Sequence, residues 1–170
     1  MGDDAHRANS GRPAVAARVA GFTYGTILVL SVIVAGAKAY PHRAGHIAAL
    51  VGVTSVVFWL AHVYADGLGQ SVAHDRRLSL AEFRHIARRE AAIVEAAVPA
   101  VAALLLGGFG VISTQAAVWA AFGLGLAVLV VEGVTYARVE RLDVLGTTLV
   151  VAANMCLGLL LIALKLFVTH

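Results

Sequence analysis

His62 and Asp66 stand one helical turn apart in the stretch FWLAHVYAD, residues 58–66, where a long apolar run ends. An imidazole that titrates near neutrality beside a carboxylate can pass a proton. The same nitrogen and oxygens can ligate a divalent metal. Two more carboxylates, Glu95 and Glu132, also interrupt apolar runs. Ionisable groups are costly in hydrocarbon, so such residues turn toward protein or water and mark functional sites by default. The His-xxx-Asp spacing does not choose between a proton relay, a cation site and a structural ion pair.

Their neighbours extend the pattern. Ser55, Trp59, His62 and Asp66 recur at helical spacing and share one stripe, as do Glu132 and Tyr136. Thr147 and Asn154 fall on one face of the last apolar run. Ser55, Tyr136, Thr147 and Asn154 are therefore the expected polar surroundings of a site built on His62, Asp66, Glu95 and Glu132. Pro99 lacks the amide hydrogen that would bond the Glu95 carbonyl, which predicts a freed backbone oxygen and a bend near 90–99. Trp59 and Tyr64 also suit an interfacial aromatic belt, and His62 and Asp66 near a helix end can reach headgroups.

The elements that position these residues follow from apolar run length. Of the 170 residues, 60% are hydrophobic and 14% charged, against about 25% charged in soluble domains. Spanning about 30 Å of hydrocarbon takes roughly 20 residues of helix, the open segment that satisfies its own backbone polar groups in lipid. Five stretches qualify: 19–37, 47–65, 91–112, 116–136 and 144–168. The expected fold is an all-α polytopic membrane bundle of five spans. Residues 1–18 are expected as a disordered cytoplasmic tail and 19–170 as a single transmembrane domain.

Between the second and third spans, Ser79-Leu80-Ala81-Glu82 is a capping box. It opens a short basic amphipathic helix over 79–90, with Arg84, Arg88 and Arg89 suited to an anionic inner leaflet. Gly21-xxx-Gly25 in the first span permits close approach of another backbone.

The net charge of +3 has a topological explanation rather than a nucleic-acid partner. Arg7, Arg12, Arg18, Arg76, Arg77, Arg84, Arg88, Arg89, Arg138 and Arg141 fall on one side of a five-span chain, and Lys38, Arg43 and Lys165 on the other. The positive-inside rule then predicts a cell-membrane protein with its N-terminus in the cytoplasm and its C-terminus outside. Ala35-Gly36-Ala37 resembles a signal cleavage site, but the apolar run before it is longer than a signal core. Cys156 is the one cysteine, so no internal disulfide forms. GxSxG, HExxH and phosphate-loop motifs are absent from the sequence.

The leading expectation is a permease or channel subunit for protons or a small cation, acting as a homo-oligomer. The alternatives are a membrane enzyme that uses a divalent metal on lipid, and a structural subunit of a membrane complex.

Overall fold

A computed structural model describes residues 3–74 and 79–168. Arg76 and Arg77 of the basic loop lie outside the described residues. Seven helices follow in order: α1 (Asp3–Ala39), α2 (Ala44–His74), α3 (Leu80–Arg89), α4 (Ala92–Glu95), α5 (Val98–Gly108), α6 (Thr114–Val139) and α7 (Val144–Val168). Among the described residues there is no strand. The protein is a membrane-embedded helical bundle. Four helices are long and apolar enough to cross a bilayer, and a run from Leu80 to Gly108, folded by 49°, makes up to a fifth.

Two boundaries differ from the expectation. α1 continues back to Asp3 through the segment expected as a disordered tail. Alanines at 5, 8, 14, 16 and 17 suit a helix, and extending an existing helix costs far less than starting one. α2 runs nine residues past the expected end, to His74. Gly67 and Gly69 weaken that extension, but no proline stops it.

The run from Leu80 to Gly108 bends where the chemistry of Pro99 favours it. Pro99 sits in the first turn of α5, where a missing amide hydrogen costs least. Just before it, the amides of Ile93, Val94 and Ala97 bond carbonyls three residues back, tightening the chain between α3 and α5. α3 begins as the capping box prescribes, with the Ser79 hydroxyl accepting from the Glu82 amide and the Glu82 carboxylate accepting from the Ser79 amide.

α5 and α6 end alike. In each, an amide reaches a carbonyl five residues back, Val111 to Leu106 and Leu142 to Ala137. Each motif needs a left-handed residue just before that amide. At the end of α5 it is Gly110, with φ of 77°; at the end of α6 it is Arg141, with φ of 54°.

α1 runs through the middle, touching α2, α4, α6 and α7. The apolar core gathers in the half away from Arg18, from Val29, Leu30 and Ile33 of α1, Ile47 and Val51 of α2, Leu104 of α5 and Phe122 of α6. Towards the other end the contacts become polar. Gly21 and Gly25 let α1 lie almost against the broken helix: a Cβ on Gly25 would stand 2.8 Å from the Ile93 carbonyl oxygen. That close approach sets Arg18, one turn before Gly21, beside α4.

Candidate functional site

Three of the four ionisable residues expected to share a layer, Glu95, His62 and Glu132, are reached from the first part of α1. Arg18 on α1 pairs with Glu95 on α4. Tyr24, less than two turns further on, stacks against His62 of α2 and lines the same cavity as Glu132 of α6. These contacts lie near the end of the bundle where α3 packs on α2, and they do not converge on one point. Among the described residues, no group of three or more His, Cys, Asp or Glu side chains lies close enough to hold a metal ion. His62, Asp66, Glu95 and Glu132 do not gather into such a group. Helices about 10 Å apart hold these side chains on separate faces.

Two of the three carboxylates are taken up by arginines. The Arg18 guanidinium donates to Glu95 Oε2 at 2.7 Å, and its flat group also lies over the Phe22 ring. Asp66 accepts from Arg89 of α3 and, at 3.2 Å, from the Gln70 amide. Arg89 also donates to Glu90 at 3.2 Å. Arg89 is thus engaged by Asp66 and Glu90, and Arg84, Arg88 and Arg89 are all exposed. A third link, Trp59 Nε1 donating to the Ala87 carbonyl at 2.9 Å, fastens α3 to α2 beside the Asp66 pair. These contacts are helix clips.

His62 is half-buried. Its Nδ1 lies 3.0 Å from the Phe58 carbonyl. A carbonyl can only accept, so in this contact Nδ1 is the donor. The ring centroid is 5.1 Å from that of Tyr24, which also stacks on Phe58. Ser55, one stripe position deeper, is fully buried.

Glu132 differs from the other carboxylates. Among the described residues it has no hydrogen-bond or ion-pair partner, although Arg18 lies within electrostatic reach. It is half-buried and lines a cavity of about 450 Å³ between α1, α6 and α7. Tyr24, Thr23, Tyr136 and Asn154 supply the other polar lining. Asn154 is fixed by donating to the Leu129 carbonyl at 3.0 Å, so its amide spans α7 and α6. A Cβ on Gly133 would come 3.2 Å from that same amide nitrogen, so the glycine next to Glu132 makes room for Asn154. Thr147 points elsewhere: its hydroxyl donates to the Asp143 carbonyl within the first turn of α7.

Residues that sequence reasoning missed are Tyr24 and Arg18. Arg18 was legible only as a topological charge, and Tyr24 carried no signal beyond its depth in α1. No known protein family, curated protein or solved structure matches the chain.

Proposed function

We propose that the protein moves protons or a small cation across the membrane, with Glu132 as the group that carries the charge. One observation supports this above the rest. Glu132 is a membrane-embedded carboxylate without an ion-pair partner among the described residues, and it opens into a polar-edged cavity. An intramembrane acid costs free energy to keep, and Asp66 and Glu95 offset that cost by clipping helices together. Glu132 clips nothing.

In this reading the protein sits in the cell membrane with its N-terminus in the cytoplasm, following the distribution of its arginines. Arg84 and Arg88 face the anionic leaflet. The Glu132 cavity is bordered by α7, the most membrane-exposed of the spans, so a second copy of the chain against α7 completes the wall.

The test is proton and cation flux into liposomes carrying the purified chain. Flux abolished by Glu132→Gln but retained in Glu95→Gln and Asp66→Asn supports the proposal. Flux that survives Glu132→Gln, or no flux from a folded protein, overturns it. The second outcome leaves the role of a structural subunit, which the two arginine clips favour.

A further inference from the structure

We infer that the cation taken by the Glu132 cavity is a monovalent organic ammonium with an apolar body, exchanged there for a proton. This rests on the reading of Glu132 as the charge-carrying group and narrows it to a ligand class.

Size is the first argument. The cavity of about 450 Å³ falls in the range of small-molecule sites and far exceeds the roughly 30 Å³ share of one water. Donor chemistry is the second. A hard divalent cation takes about six to eight oxygens, whereas one carboxylate lines this cavity. The third is the rest of the lining. Val19, Ala20, Ile27 and Val150 give it an apolar wall, and Tyr24 and Tyr136 bring two aromatic rings to the same space as the acid. A carboxylate with aromatic rings beside an apolar wall recognises an alkylated ammonium, which those rings attract and which needs few hydrogen bonds.

Charge complementarity agrees. Arg18 is shared with Glu95, so Arg18, Glu95 and Glu132 together leave one negative charge when all are ionised. A single monovalent cation, or a single proton on Glu132, neutralises it. When the ammonium arrives at protonated Glu132, the O–H bond breaks, the proton leaves to water, and the carboxylate pairs with the ammonium. The charge of the occupied site is the same in both states.

Binding should therefore strengthen as pH rises and protons leave Glu132. The charged and titratable groups facing Glu132 are Arg18 and Tyr24 from α1 and Tyr136 from its own helix; α7 presents the neutral Asn154. None of them turns positive as pH rises, so none reverses that sign.

The experiment titrates benzyltrimethylammonium into the full-length protein in mild detergent, by calorimetry, in parallel with its carbon isostere neopentylbenzene. Proton release is read with an indicator in weak buffer. The expected result is binding of the ammonium with proton release, and no binding of the neutral isostere. Glu132→Gln should lose both signals. Tyr136→Leu should weaken binding by roughly threefold to tenfold, and Tyr136→Phe, which keeps the ring, should not. Equal binding of the neutral isostere identifies an apolar cavity filled by lipid chains and overturns the inference. Ammonium binding unchanged in Glu132→Gln also overturns it. Glu132-dependent proton flux in liposomes, without ammonium binding, overturns the ligand class while the proposed function stands.

Discussion

The two flanks of α1 handle membrane carboxylates in opposite ways. On the side of α2, α3 and α4, Asp66 and Glu95 each meet an arginine, and a tryptophan indole adds a third tie from α2 to α3. On the side of α6 and α7, Glu132 faces a cavity with two tyrosines and an asparagine. A carboxylate is tied to an arginine on one flank and faces a cavity on the other. The partner across the helix interface sets the difference.

The sharpest way to break this contrast is Glu132→Gln. It should lower flux by about a hundredfold, the scale on which a positioned proton-transfer group contributes, without lowering thermal stability. Flux assays beside thermal unfolding in detergent would show both; a loss of stability comparable to that of the clip variants would erase the distinction.

On the clipped flank the largest effect should come from Gly25→Ala. The added Cβ meets the backbone of Ile93, which cannot rotate away, so α1 and α4 must separate. Overpacking of this kind costs about 1–3 kcal/mol, and the Arg18–Glu95 pair should open with it. Gly52→Ala, with nothing within 4 Å of its Cβ, is the matched control. Equal unfolding temperatures for the two variants would contradict the close packing of α1 on α4.

Arg89→Ala is next. Its pair with Asp66 is about a third exposed on both sides, so the loss should be no more than about 1 kcal/mol after solvent screening. The double variant with Asp66→Asn should cost less than the two single variants added together, which a thermodynamic cycle measures.

The smallest expected effects are gains. Thr26 is 1% exposed and its hydroxyl has no hydrogen-bond partner among the described residues. Thr26→Val removes that buried polar group and should stabilise by about 1 kcal/mol. Arg141→Gly should gain about as much, because Arg141 holds the left-handed position that Gly110 fills without strain at the end of α5. Thermal unfolding reads both, and either variant being less stable than the parent would show that a contact of the original side chain outweighs the cost.

Much of this frame could be read in the sequence, because apolar run length and helix caps are local. The last helix, Val144–Val168, covers the stretch expected of the last span, and the Ser79 cap and the bend before Pro99 fall where their chemistry places them. A shared depth for His62, Asp66, Glu95 and Glu132 was expected from counting turns. Their separation was not. Arg18 and Glu95 are 77 positions apart, and Asp66 and Arg89 are 23 apart. No periodicity within a helix says which side chain a neighbouring helix presents. The same limit hid Tyr24, whose importance lies wholly in what α2 and α6 set beside it.

The broken third crossing bears on how the chain enters a membrane at all. α5 has 11 residues, about 16 Å of helix, or roughly half the hydrocarbon thickness. It counts as a crossing only together with the bent segment before it. During synthesis this stretch emerges after α1 and α2, and those are the helices against which α4 and α5 pack. α6 follows after a turn of five residues and packs along α5. The bent run thus packs on helices that precede it in the chain and forms the first arm of a hairpin with the helix that follows it.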